Sequence, residues 1–311
     1  MMARGAVIAS LAVVARSVAL VFGITVLVFV LLRIVPGDIV ELMASEGGFT
    51  SSQMETVRQD LGLDRPWPEQ LAIWVRNALS GDFGLSLRFQ RPIAEMILAA
   101  LPATLHLAAL SFGIGMSLGV GTAIAAAIWP RSIWRTVVEA LNVWSVAFPT
   151  FCVGFVLILV FVLWLRWTPL LGNLWLPAIV LGIDIAGQVA KPLLEDIQEA
   201  RESIYVRTAM AKGVPGRFIV LRHILPNALP SLLALTGIIL GGLAGGTVTM
   251  EVLFGHNGLG RLTLDSVLGR DYPLTQATVI VIASAVVLAN GLVGMAGTLV
   301  DPRRNTRMAS R

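Results

Sequence analysis

Asp184 stands among apolar residues with Gln188 four positions further on, so a helix puts the carboxylate and the amide on one face. A carboxylate in so apolar a run is costly unless it meets protein or water. Two readings follow. The pair lines a passage and meets a cationic group of a passing solute, or it makes a structural hydrogen bond to a neighbouring helix or partner chain. Neither breaks a bond. No His-Glu-x-x-His, Gly-x-Ser-x-Gly or cysteine pair at metal spacing occurs, and His106, His223 and His256 fall in separate regions. Cys152 is the single cysteine and has no intrachain partner. A phosphate-binding loop requires lysine after glycine. Lys191 and Lys212, the two lysines, each follow alanine, so nucleotide phosphates find no cradle here. Gly255-His-Asn-Gly-Leu-Gly260 follows no strand and reads as a turn.

A second constellation is built for docking. Tyr205-Val-Arg-Thr-Ala-Met-Ala-Lys-Gly213, followed by Leu221-Arg-His-Ile-Leu-Pro226, is a basic, small-residue segment between two apolar runs. It reads as an elbow outside hydrocarbon, gripped by another protein; the alternative is an ordinary solvated loop. Helix formers fill Pro192 to Lys212, and Gly213 is placed for the left-handed C-cap. Lys212 suits the helix dipole there. Pro215 prevents direct continuation, so the chain turns. Phe218, Leu221 and Leu225 then form a second apolar stripe, and Pro226 marks entry to the next span. Ala209 and Ala211 keep the knob slim.

These residues need a membrane-embedded frame. The chain has 311 residues, 56% hydrophobic and 14% charged, which fits an integral membrane protein and not a soluble domain. A net charge of +4 is too small to argue for nucleic acid; the arginines beside apolar runs fit membrane topology. About 20 apolar residues cross a bilayer core. Six windows qualify: Leu11–Val35, Ala103–Trp129, Ala147–Leu165, Leu174–Ala190, Leu229–Val248 and Leu274–Val300. The first is too long for a cleaved signal peptide. Arg131 and Arg135, then Lys191 to Arg222, then Arg303, Arg304, Arg307 and Arg311 put positive charge after the second, fourth and sixth windows. Both termini and the 191–228 loop are therefore expected to be cytoplasmic, and residues 36–101 extracytoplasmic. Glu139 and Arg135 are expected near an interface. Gly115 and Gly119 in the second window predict tight helix packing, and Gly241, Gly242, Gly245 and Gly246 in the fifth predict packing or sliding. In the 36–101 segment, Ser52-Gln-Met-Glu55 has capping-box spacing and Gly62 can close that helix. Trp67, Leu71, Trp74, Val75, Ala78 and Leu79 make one apolar face, ended by Gly81. That helix lies on the membrane surface, caps the bundle, or helps dock a delivery protein.

Arg207-Thr208-Ala209, Gly213 and His223-Ile224-Leu225-Pro226 resemble the cytoplasmic loop of ABC-importer permeases: Glu-Ala-Ala, three residues, Gly, nine residues, Ile-x-Leu-Pro. The Glu and Ile positions depart from that pattern, whereas Tyr-Val-Arg-Thr-Ala-x-Ala-Lys-Gly resembles the form in dipeptide/oligopeptide permeases. So do Arg33-Ile-Val-Pro-Gly-Asp38, Leu61-Gly-Leu-Asp-Arg-Pro66, Gly81-Asp-Phe-Gly-Leu-Ser86, Leu101-Pro-Ala-Thr104, Phe254-Gly-His-Asn-Gly-Leu-Gly260, Arg270-Asp-Tyr-Pro273 and Asp301-Pro-Arg303. The resemblance implies one all-α transmembrane domain over 1–311 with six spans, of the type I ABC importer fold, in a bacterial inner membrane. It implies a second homologous permease, two ATP-binding subunits that hold ATP and Mg, an extracytoplasmic solute-binding protein, and no cofactor on this chain. Arg207, Thr208, Ala209, Ala211, Lys212, Gly213, Leu225 and Pro226 are the expected ATPase-coupling residues. Asp184 and Gln188 are the expected passage residues. Peptides are the expected cargo, with a nickel chelate, glutathione, an opine or an oligosaccharide as alternatives. An intramembrane enzyme lacks its catalytic set here, and an ion-coupled carrier lacks its duplicated halves.

Overall fold

The structure is a computed structural model that describes residues 2–34, 64–169 and 171–300, with side chains for 11–34, 64–169 and 171–297. The Pro36–Asp38 and Leu61–Leu63 motif positions, the Ser52–Glu55 box, Gly62 and the terminal Asp301-Pro-Arg303 with its arginines lie outside the described residues. Among those described, the chain is helical apart from an isolated bridge between Leu85 and Pro92. The helices are α1 Met2–Ile34, α2 Trp67–Leu79, α3 Ile93–Ile128, α4 Trp134–Ala147 and α5 Thr150–Leu157, which continues as a π turn over Ile158–Trp164. Then come α6 Trp175–Arg201, α7 Ile204–Ala211, α8 Gly216–Phe254, α9 Leu259–Leu268 and α10 Tyr272–Val300.

Among the described residues, five helices are long and apolar enough to cross a membrane: Leu11–Ile34, α3, α6, α8 and Tyr272–Gly297. A sixth span exists if α4 and the Thr150–Trp164 helix count as one bent pair. These two meet at 99°, where Phe148 is extended before Pro149. Proline disfavours the helical conformation in the residue before it, which accounts for the break. The stretch holding Arg135 and Glu139 is thus the first arm of that bent pair, α4.

The helices fall into two compact units. The first comprises Met1–Arg16, Thr104–His256 and Leu288–Arg311. One of its apolar cores joins Leu107, Leu181, Ile185, Val189, Ile239 and Met250. Glycine sets how closely its helices approach. A Cβ on Gly115 would sit 2.5 Å from Ile185, and one on Gly119 would sit 2.8 Å from Val189, so α3 rides directly on α6. This is the tight packing that the Gly-x-x-x-Gly spacing predicts. Gly187 is tighter still, because its Cβ would overlap the Leu141 carbonyl and lie 2.6 Å from Ser145 Oγ on α4. Gly187→Ala should therefore destabilise by about 1–3 kcal/mol, the cost of forcing a methyl into a packed contact. Thermal unfolding in detergent, with Gly121→Ala as a control in open space, measures it.

The second unit comprises Ser17–Ala103 and Asn257–Val287. Ile93, Ile97, Ala100, Leu259, Leu274 and Ala277 form its core. Helix α2 runs over the segment whose apolar spacing predicts it, and Gly81 follows at φ 83°, a left-handed turn that glycine adopts without strain. Arg33 donates to Gln70 Oε1 at 2.7 Å and 3.0 Å and lies 3.4 Å from the Phe29 ring centre, fixing α2 to α1.

Candidate functional site

The elbow is two helices, not one. Sequence spacing predicts an unbroken helix from Pro192 to Lys212, but α6 ends at Arg201 and α7 begins at Ile204 after extended Ser203. Ser203 Oγ donates to the Ala200 carbonyl, one of the terminal acceptors that α6 leaves open. α7 ends at Ala211, Lys212 follows, and Gly213 takes φ 76° in the left-handed region. Nothing lies within 4 Å of a Cβ built on Gly213, so backbone conformation alone selects glycine there.

α7 has two faces. Val206 is fully buried and Ala209 packs against the same core, whereas Tyr205, Arg207, Thr208, Met210, Ala211 and Lys212 are exposed. Ile204 is 84% exposed and Met210 50%. Large apolar side chains left open on an otherwise polar knob mark an interaction surface. Ala209 is thus slim toward its own core, and Ala211 is slim toward the outside.

Beyond Pro215 the chain re-enters helix at once, and α8 runs through Leu225 and Pro226 without a new start. A π segment, Ile219–Ile224, shifts the helical register. Phe218 and Leu221 of the expected stripe are exposed and Leu225 is half-buried, whereas Ile219, Val220 and Ile224 face the core. The Arg217 guanidinium sits 5.1 Å from the Phe218 ring centre.

The second candidate site is a cleft of roughly 470 Å³ in the first unit, between α6 and α8. Asp184 and Gln188 line it, with Thr150, Thr249, Gly242, Gly245 and Gly246 among its other walls. Gln188 Nε2 donates to Asp184 Oδ2 at 2.8 Å, so the two residues form one polar spot. Pro192 has no N–H for the Gln188 carbonyl, which opens the helix ladder on the same turn. Gly242 and Gly245 meet nothing within 4 Å, whereas a Cβ on Gly246 would sit 2.9 Å from Leu181. Most of this glycine run widens the cleft instead of packing helices.

Several polar contacts carry no signal in the sequence. Lys191 Nζ donates to both Glu139 carboxylate oxygens at 2.8 Å, and Arg201 donates to the Ala127 carbonyl. His256 Nε2 lies 3.1 Å from the Asn173 carbonyl oxygen. In the second unit, buried Asp271 accepts from Ser86 Oγ at 2.6 Å, which joins two of the quoted motifs. His106, His223 and Cys152 join no cluster, and no group of metal-ligating side chains occurs among the described residues.

Span-length helices, a polar cleft between two of them and a knob bearing exposed apolar side chains fit a membrane transport component. Residues 115–306 match the family described as binding-protein-dependent transport system inner membrane component, and residues 10–108 match the N-terminal membrane component of such systems. The chain belongs to this family, as the permease subunit of an ABC importer with the type I membrane fold. It is 36% identical over 287 residues to the glutathione transport system permease protein GsiC of Escherichia coli (strain K12), covering 90% of this chain and 93% of that one. To the protein of the same name in Pectobacterium atrosepticum it is 35% identical over 284 residues, covering 90% and 92%. Membership makes it a multi-pass inner-membrane protein and a transport component, not an enzyme, that works with ATPase and solute-binding partners.

Proposed function

We propose that this chain lines, with a second homologous permease, the passage of an importer for short peptides. Two ATP-binding subunits hold ATP and Mg and grip the elbow, and an extracytoplasmic binding protein delivers the cargo. Both termini and residues 191–228 face the cytoplasm in this reading, and residues 36–101 face outward. Arg207, Thr208, Ala211, Lys212 and Gly213 shape the coupling knob, Ala209 seats it on its core, and Leu225 and Pro226 lie on the helix it leads into. ATP-driven closure of the ATPases displaces the knob, and the cleft switches its access. Glutathione is a tripeptide, and the long alignments to glutathione permeases support it as one cargo in this class.

The observation that carries the passage reading is the Asp184–Gln188 pair on the cleft wall. Asp184 Oδ2 accepts from Gln188, which leaves the second carboxylate oxygen for an ammonium group of the cargo. Asp184→Asn keeps the shape and removes the charge. Uptake of peptides with a free amino terminus should fall about 10-fold, the loss expected for a charge-assisted hydrogen bond. Uptake of amino-acetylated peptides should hold. The assay compares uptake at equal membrane abundance, alongside direct ligand binding to the partner binding protein. Unchanged uptake of every peptide assigns Asp184 to a structural hydrogen bond instead.

A further inference from the structure

One helix joins the cleft to the elbow. α6 carries Asp184 and Gln188 on the cleft wall and ends at Arg201, about 25 Å further along its axis. Only Glu202 and Ser203 separate it from α7. A two-residue turn is a weak link for transmitting a push unless the helix end behind it is held.

Two polar pins hold it. The first is Lys191, whose Nζ lies 2.8 Å from both oxygens of Glu139 on α4, with Glu195 at 3.7 Å one turn along α6. The pair is partly exposed, and such pairs add little to stability. What it does is fix the position of α6 along α4, a turn below the cleft residues. The second pin is Arg201, whose guanidinium donates to the carbonyl of Ala127 in the final turn of α3. The last carbonyls of a helix lack intrahelical partners, so this acceptor is free to be taken. Arg201 also sits in the last turn of α6, where the helix dipole favours a cation.

Between the pins lies an apolar core shared by five elements: Ala126 of α3, Val138 of α4, Leu193 and Ile197 of α6, Val206 of α7, and Val220 and Ile224 of α8. Displacing α7 therefore moves a packed body. Its polar ties decide whether α6 travels with that body or pivots about Glu202-Ser203.

We propose that Arg201 and the Lys191–Glu139 pair are the positioning residues that carry displacement of the elbow helix to the Asp184–Gln188 cleft. This rests on the elbow reading given above. Arg201 keeps the end of α6 on α3 while α7 is pushed, and Lys191 keeps the same rod on α4 where it enters the cleft. With either pin removed, part of the motion is lost in rotation of α6 and never reaches the passage.

The test is the number of ATP molecules hydrolysed per peptide imported, in the complete importer reconstituted with its binding protein. Arg201→Ala should leave ATPase co-purification and basal hydrolysis unchanged and raise that ratio roughly 3- to 30-fold. Arg201→Lys, which can still reach a carbonyl, should recover part of the loss. Glu139→Gln should raise the ratio as well, and the exchange of Glu139→Lys with Lys191→Glu should lower it again. If Arg201→Ala fails to assemble, the Glu139 and Lys191 series decides. Wild-type ratios in Arg201→Ala and Glu139→Gln overturn the proposal. A fall in uptake that only tracks loss of thermal stability or of bound ATPase also overturns it, because a purely structural role predicts that. Ala211→Trp on the exposed face of α7 separates the two readings: if it leaves uptake and ATPase binding normal, the elbow reading itself fails.

Discussion

Ala211→Trp should remove uptake almost entirely while leaving the permease inserted and folded. Ala211 lies on the exposed face of α7, one position before Lys212 and two before Gly213. An indole there meets no part of its own core, which α7 contacts through Val206 and Ala209. It does obstruct a partner groove fitted to a slim helix. The expected loss is roughly 30-fold or more in uptake, equivalent to losing an interface anchor of about 2 kcal/mol. ATPase co-purification should fall in parallel. Gly213→Val should act by a different route. Its φ of 76° costs an ordinary residue about 1–2 kcal/mol and a β-branched one more, so the α7 terminus should unwind. Gly213→Asn should be milder, since asparagine tolerates this conformation. Ala209→Trp tests something else: Ala209 packs inward, so its damage should appear first as lost thermal stability. Pull-down and uptake on all four variants separate docking from packing. Normal uptake and normal ATPase recovery in Ala211→Trp would mean that the elbow is not where force enters.

The helices that cross hydrocarbon are legible because a bilayer demands long apolar runs and little else does. Gly115 and Gly119 are legible for a related reason: four-residue spacing puts both on the face that meets Ile185 and Val189. Gly213 declares its conformation by its place before Val214-Pro215. The break at Glu202-Ser203 is harder to see. Serine before Ile204 is a helix-start signal, but good helix formers on both sides mask it. The inward face of residues 219–224 is hidden by the π register, which no 3.6-residue pattern contains. The Lys191–Glu139 and Arg201–Ala127 contacts join residues 52 and 74 positions apart, and only packing brings them together. The cleft is similar. Asp184 and Gln188 announce themselves as polar, yet the glycines opposite them read equally well as packing surface until α8 is placed against α6.

Asp271→Ala should strongly destabilise the second unit. Asp271 is fully buried and does two jobs. Its Oδ1 accepts from the Leu274 N–H at 3.2 Å, which caps the start of α10. Its Oδ2 accepts from Ser86 Oγ at 2.6 Å and from the Arg88 N–H at 3.2 Å, clamping the turn that runs from Gly81 to α3. Ser86 is itself fully buried and accepts from the Phe89 N–H at 3.0 Å, so the donor side has no solvent to fall back on. Removing the carboxylate therefore costs the cap, typically about 1 kcal/mol, and leaves buried donors unmet at roughly 1–3 kcal/mol. A total near 2–4 kcal/mol is expected. Asp271→Asn should fall between, because an amide keeps one acceptor but turns an N–H₂ toward donors. Ser86→Ala should cost less than Asp271→Ala, and the double variant should cost less than the sum, since the two share one hydrogen bond. Thermal unfolding of the detergent-purified chain gives the ranking, and hydrogen exchange at residues 84–93 shows whether the turn loosens first. Asp265, whose carboxylate lies 3.9 Å from Arg261 at a half-exposed position, is the control. If Asp271→Ala melts no earlier than Asp265→Ala, the clamp does not hold this unit together.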